Sequence, residues 1–490
     1  MRIKFIKFLF PIWFLLVLVQ FSSCEEEDSF VSLITEEIIF TNSDIVRVLA
    51  RVIGAGDVMI EDHGFQISEN EQFGTFLRVS LGSRERVGRF IGEITGLDSE
   101  KLYYIRAFSI SEGREIFGNT LSFTTLIPEI QNFTPKVGLT GSLVVLKGKN
   151  FTTDIKVFFG DREAVITDRR FDAELTVRVP SPGNQNIEKV SIHFQGNRIE
   201  FEEPFEYITG SYEKISDFPD NQQFSENIYF QSNGKFYAGL GLYQNNQLND
   251  KMWEFSLADN QWTEVNFPGG FHGGGFFAGE YFGSGVSQFI GSASQLGRDF
   301  WRIQNGSFQK LPDLPFETYR SPAFVIRNEL YVVGQSLFTP RIVNKYNPST
   351  GLWTRLPDAD FTVLSIQPRF THNDKQYFVN HEGAVLEFDP GTNAWTKIDD
   401  YPGDSSRSFG FGVVIGNKAY IGLYLRSSEI WELDLETMKW TPKVNFPGST
   451  FAHNAGIFVE DGIIYILRSG ETNTPALTRM ELWKFDPNGL

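Results

Sequence analysis

From residue 35 onward, apolar and polar positions alternate in short runs broken by glycine, asparagine and serine. "VRVLARVIG" (46–54) and "YYIRAFSIS" (103–111) show the pattern most clearly. A period of two between tight turns predicts short antiparallel strands, and residues 35–126 read as one β-sandwich. The next segment, 127–208, continues in the same style. "SLVVLKG" (142–148) is a strand, Pro135, Gly138 and Gly141 mark turns, and Gly148 with Asn150 suits a turn of positive φ. No long helical period occurs anywhere, so the predicted fold is all-β.

After residue 212 a longer period takes over. Trp262, Trp353, Trp395 and Trp440 each close a similar hairpin: "WEFSLADNQWTEV" (253–265), "NKYNPSTGLWTRL" (344–356), "LEFDPGTNAWTKI" (386–398) and "WELDLETMKWTPK" (431–443). Seven residues before each tryptophan stands Phe255, Tyr346, Phe388 or Leu433, which predicts a fixed cross-strand pair in every copy. "WRIQNGSFQKL" (301–311) is a fifth copy with Phe308 in the tryptophan place, and "WKFDPNGL" (483–490) is half of a sixth. The missing half stands at the other end, where "YEKISDFP" (212–219) aligns without gaps on "WTKIDDYP" (395–402). A repeat of about 45 residues indicates a propeller or solenoid, and a first strand completing the last repeat would close a ring of six. The tryptophan rings themselves read as core packing.

The N-terminus has a different pattern. Arg2, Lys4 and Lys7 precede an unbroken apolar run, "FLFPIWFLLVLV" (8–19), of the length and flanks of a secretory signal peptide. "FSSC" (21–24) follows and holds the chain's one cysteine, so Cys24 has no partner for an intramolecular disulfide. Glu25, Glu26, Glu27 and Asp28 come next.

These segments resemble known families. "FSSC" is similar to a bacterial lipobox, which implies that 1–24 is a lipoprotein signal with Cys24 lipidated. The acidic run resembles the export signal of Bacteroidota surface lipoproteins, with 25–34 as a tether. Residues 35–126, through "DHGFQIS" (62–68) and "IFGNTLSFTT" (116–125), resemble a fibronectin type III-like module. Residues 127–208, through "IPEIQNFTPKVGLTGSLVVLKGKNF" (127–151) and "VFFGDREAVI" (157–166), resemble an IPT/TIG domain of immunoglobulin-like fold. Residues 212–490 resemble a six-bladed kelch-type β-propeller, although the family's Gly-Gly doublet is degenerate here, as in "GLG" (239–241) and "GSG" (283–285). The expected architecture is two Ig-like sandwiches followed by that propeller. The expected location is the outer membrane, lipid-anchored and facing the exterior.

Charge and chemistry narrow the function. A net charge of −17 excludes a phosphate-binding surface for nucleic acid. With no cysteine in the propeller, neither a cysteine nucleophile nor the Tyr–Cys crosslink of galactose oxidase can form there. No S-x-D-x-G-x-x-W box of sialidases is present, and the six histidines show no metal-binding spacing. No catalytic set, metal or cofactor is therefore expected. What recurs is a cationic or imidazole residue ahead of the first strand of several repeats: His272, Arg320, Arg369, Arg407 and His453. Either these are structural, or they ring the channel mouth and bind a carboxylate-bearing ligand. The function expected is a surface protein that binds a glycan or another extracellular polymer, with the sandwiches as spacers. A kelch-type carbohydrate enzyme, such as a sialic-acid mutarotase with Glu226 or His272 as acid or base, is the alternative.

Overall fold

The structure is a computed structural model. It describes residues 31–54, 58–219, 223–243, 247–290, 293–334, 341–360, 362, 364, 366–470 and 479–490. Cys24, the signal segment and most of the acidic tether lie outside the described residues. The chain is all-β, with no helix among the described residues. It divides into two compact units. One carries the residues up to 136 with 140–181 and 188–205; the other carries 137–139, 182–187 and 206–490.

The first unit begins with strand Val31–Thr41, four residues ahead of the expected module start at 35. That strand pairs with Ile45–Gly54, which pairs with Gly88–Thr95. A second sheet runs Leu77–Arg84, Ile60–Ser68 and Leu102–Ser111, with Arg114–Phe117 and Leu121–Thr124 both paired to the last. The alternation seen in the sequence now has its cause. Val46, Val48, Ala50 and Val52 point into one core shared with Phe65, Ile67, Ile105 and Ala107, while Arg47 and Arg51 stay exposed.

Seven strands between residues 129 and 200 are joined in one sheet through a single long strand, and Val137–Gly138, Phe205–Tyr207 and Ile187–Glu188 form a separate three-stranded sheet. The long strand is Arg162–Arg170, of nine residues. Its residues Arg162–Ala164 pair with Lys156–Phe159, and from Val165 onward it pairs with Glu174–Arg178, with a register shift between Ile166 and Asp168 inside that second part. Polar contacts tie this sheet to the preceding module: the Asp44 carboxylate accepts from the Thr153 N–H at 2.6 Å, and the Gln195 side chain bonds Leu97 and Ser99.

The second unit contains six four-stranded antiparallel sheets. Their first strands, Ile228–Ser232, Phe276–Ala278, Ala323–Ile326, Arg369–His372, Phe411–Ile415 and Ala452–Glu460, neighbour one another in that order, and the last neighbours the first. Each pair of adjacent sheets buries one apolar cluster between them, including the sixth and the first. The expected hairpin pairs are directly opposed: Phe255 to Trp262, Tyr346 to Trp353, Phe388 to Trp395 and Leu433 to Trp440. Ser211–Asp217 supplies the outer strand of the sixth sheet by pairing with Glu481–Asp486, and Tyr212 stacks on Phe485 at 4.5 Å. This pairing covers an edge that would otherwise be open.

A second repeat escaped the sequence reading. In five of the sheets a cation, a glutamate and a tyrosine meet across the second and third strands. They are Lys235–Glu254–Tyr237, Arg302–Glu280–Tyr281, Lys345–Glu329–Tyr331, Lys375–Glu387–Tyr377 and Lys418–Glu432–Tyr420. These triads lie away from the ring's axis. A hairpin, Val286–Ile290 with Ala293–Leu296, also stands outside the six sheets.

Candidate functional site

The turns leading into the first strands place the side chains that face the axis. Glu226, Gly274, Arg320 and Phe409 all adopt left-handed backbone, with φ of 51°, 66°, 53° and 67°. For Glu226, Arg320 and Phe409 this conformation is strained, at about 1–2 kcal/mol each. Backbone bonds stitch the turns together: the Gly274 N–H donates to Glu226 O at 2.8 Å and the Arg320 N–H to Gly274 O at 2.8 Å. Gly274 must be glycine, because a Cβ there would meet the Tyr319 ring at 2.6 Å and the Glu226 carboxylate at 3.0 Å.

The side chains of these turns converge. Arg320 pairs with one oxygen of the buried Glu226 carboxylate, and the Tyr319 hydroxyl donates to the other at 2.9 Å. Burial pulls the Arg320 pKa down, but the Glu226 carboxylate more than offsets it and the net shift is upward. The pair lines a small cavity of about 60 Å³, together with Phe409, His453 and Asn454. Two polar atoms in its wall are buried without a partner, Arg320 Nε and His453 Nε2. His453 is 5 % exposed and lies 5.2 Å from the Phe409 ring. Burial, helped by the nearby Arg468 guanidinium, lowers its pKa to about 4, against a bond to the Phe224 backbone. It is therefore neutral at physiological pH and offers an acceptor nitrogen.

A larger cavity of about 500 Å³ adjoins the small one, the two sharing Tyr229, Phe277 and Gly410. Among the described residues that line it, Arg369 carries the only charge. Its guanidinium lies 5.0 Å above the Phe277 ring. Burial lowers its pKa, opposed by Tyr229.

The five residues singled out from sequence thus part company. Arg320, Arg369 and His453 face the two adjoining cavities; His272 and Arg407 face neither. His272 is 1 % exposed, packs against Phe267 and Phe282, and bonds Ser284 O through Nδ1 at 2.8 Å. Burial lowers its pKa as well. Arg407 is exposed. The physical reason is register: His272 and Arg407 each stand two residues before the left-handed residue of their turn, whereas Arg320 is that residue. Of the five cationic or imidazole groups expected in a ring, the cavities hold a paired Arg320, a neutral His453 and Arg369.

Sequence reasoning passed over Tyr319, Asn454 and Arg468. Arg468 is fully buried and donates to Asn454 Oδ1 at 2.8 Å and to Ser449 O at 3.2 Å; burial lowers its pKa to about 9. A lone arginine closing the apolar run "IIYILR" (463–468) was the available signal. Among the described residues no group of three or more histidine, cysteine or carboxylate side chains is placed to hold a metal. Among the described residues no helix is long and apolar enough to cross a membrane, which leaves strands unaddressed.

Residues 128–207 match the IPT/TIG domain family. The IPT/TIG segment holds the seven-stranded sheet and contributes no residue to either axial cavity. No curated protein matches the chain by sequence. Solved structures similar to the chain include the following three. One is a protein of unknown function from Bacteroides thetaiotaomicron, 13% identical, with a TM-score of 0.39, covering 73% of this chain and 98% of its own. One is YjhT, 16% identical, with a TM-score of 0.43, covering 54% and 94%. The third is described as an auxiliary nutrient binding protein from Bacteroides thetaiotaomicron, 14% identical, with a TM-score of 0.38, covering 73% and 97%.

Proposed function

We propose that the six sheets are the blades of a kelch-type propeller that binds an extracellular ligand, a glycan or other carboxylate-bearing polymer, at the axial cavities. The observation that carries this reading is the small cavity itself. Two charged residues from different sheets are held in strained backbone, their side chains meet there, and two buried polar atoms beside them lack partners. Strain and unsatisfied buried groups persist where function requires them. Glu226 accepts and Arg320 Nε donates, so the site suits hydroxyl groups. The auxiliary nutrient binding protein is a neighbour of compatible description, without weight of its own.

Glycine takes left-handed backbone at no steric cost, so Glu226→Gly with Arg320→Gly should keep the turns while removing both charges. On a glycan array the wild type should bind a defined subset of glycans and the double variant none. Binding unchanged in the variant would place the ligand elsewhere. The enzyme alternative, a carbohydrate mutarotase or similar, is favoured by one feature, the Glu226 carboxylate held by Tyr319 at the cavity wall.

The proposal extends to location. Cys24 is the lipid attachment point, the outer membrane the location with the exterior as the side faced, and residues 35–208 are spacers. Cys24→Ala should shift the protein out of the membrane fraction; a variant that still sediments with outer membranes refutes the anchor.

A further inference from the structure

The protons and lone pairs around the small cavity say more about its occupant than its size does. The two unpartnered atoms in its wall, Arg320 Nε and His453 Nε2, are of opposite kinds. Arg320 Nε carries a proton and can only donate. The other His453 ring nitrogen bonds the Phe224 backbone, a contact that raises the pKa and so is a donated N–H. Burial keeps the ring neutral, which leaves Nε2 bare and able only to accept. We infer that the small cavity seats one alcohol hydroxyl, the exocyclic hydroxymethyl arm of an uncharged hexose, which accepts from Arg320 Nε and donates to His453 Nε2. This deepens the reading of the axis as a glycan site and rests on it.

Other polar groups fail on the same count. A carboxylate would set its lone pairs against Nε2 with no proton to give, beside the buried Glu226 carboxylate. An ammonium would set its protons against the Arg320 N–H with no lone pair to accept. The other polar side chains of the wall already have partners. Glu226 bonds Arg320 and Tyr319, Asn227 bonds Ala455 O, and Asn454 bonds Arg468 and Phe409 O. What the wall asks for is therefore one donor and one acceptor on a single atom. A volume of about 60 Å³ admits a group of a few heavy atoms but not a sugar ring, and the hydroxymethyl arm is the hydroxyl that projects beyond the ring. The adjoining cavity of about 500 Å³ has room for the ring itself. Tyr229 and Phe277 line both cavities, and aromatic walls with a few placed polar groups are the usual make-up of a small-molecule site. Water can meet the same two atoms before the ligand arrives, and a hydroxyl that repeats its two bonds replaces it without loss.

The test titrates glucose, galactose and mannose into the wild type by calorimetry, each beside its 6-deoxy counterpart and its uronate. At least one hexose should bind, with its 6-deoxy form about ten- to a hundredfold weaker and its uronate no better than the 6-deoxy form. His453→Asn keeps an N–H for Phe224 O and removes the acceptor that faces the cavity. It should bring that hexose down to the affinity of the 6-deoxy form while leaving the 6-deoxy form unchanged. If that variant does not fold, the wild-type comparison decides alone. A wild-type crystal soaked in the hexose should show the hydroxymethyl oxygen between Arg320 and His453. A 6-deoxy form or uronate that binds as tightly as its parent, binding of none of the hexoses, an unchanged gap in His453→Asn, or water alone between Arg320 and His453 in the soaked crystal would each overturn the inference. If it is overturned while the array signal is still lost on Glu226→Gly with Arg320→Gly, the hydroxyl seat falls and the ligand reading stands. If that double variant also keeps the array signal, both fall.

Discussion

The same three side-chain types meet at the rim of the ring and at its axis, in opposite settings. At the rim, Lys235, Glu254 and Tyr237 join across neighbouring strands of one sheet, on regular backbone and partly in water. At the axis, Glu226 meets Tyr319 and Arg320 across 93–94 positions, with Glu226 and Arg320 on left-handed backbone against a cavity. Rim cations gain from their partners: carboxylates raise the pKa of Arg302 and Lys375. At the axis the two effects divide: Glu226 still raises Arg320, whereas burial lowers Arg369 and His453. Shared chemistry therefore says little about role. Burial and backbone strain separate a stapling contact from a site.

The fifth sheet breaks this contrast in an instructive way and gives the largest expected effect. There the triad's carboxylate is buried with a second lysine: Lys443 joins the half-exposed Lys418 on Glu432 at 2.6 Å and also donates to Thr209 Oγ1 at 2.9 Å. The side chains of Lys443 and Glu432 are 5% and 7% exposed. Burial lowers the Lys443 pKa, while the two lysines hold Glu432 below its usual range against burial. Glu432→Ala would strand a buried ammonium and should cost about 3–5 kcal/mol in urea unfolding. Its counterpart Glu254→Ala, at a half-exposed pair, should cost about 1 kcal/mol or less. Equal losses would mean that the triads are set by chemistry and not by burial.

What the sequence showed and what it hid follow the same division. The rim was legible because regular strands keep fixed offsets. Seven residues separate Phe255 from Trp262 in every hairpin of that type, and the ungapped match of 212–219 to 395–402 exposed the closing strand. The ion-pair repeat was not legible, since glutamate and cation exchange strands in the second and third sheets. The axis was half legible. Counting back to a cation found Arg320, Arg369 and His453, but a left-handed turn decides which residue looks inward, and neither His272 nor Arg407 advertises that it sits two positions short. Glu226 drew notice only as a possible acid or base, because its partner lies one whole repeat pair away.

His453 offers the subtler test of the axis against the rim. If its imidazole titrated like a solvent-exposed one, acid would add positive charge at the cavity and tighten anion binding. Its surroundings argue against that: Arg468 behind it, the Phe409 ring beside it, the Phe224 backbone on one nitrogen and the cavity on the other. With a folded pKa near 4 and an unfolded value near 6.5, the unfolded chain binds the proton first as pH falls. Stability contributed by the neutral ring is therefore complete above about pH 6.5 and lost between there and pH 4, amounting to about 3 kcal/mol across the window. Urea midpoints of the wild type should fall from pH 7 to pH 4.5, and His453→Gln should remove that share of the slope while leaving the carboxylate-driven remainder. Ligand affinity should stay level from pH 7.5 to pH 5.5, since Arg320, raised by Glu226, does not change charge there. A His453→Gln slope identical to wild type, or affinity that rises on acidification, would mean that the imidazole is solvated and the axis no drier than the rim.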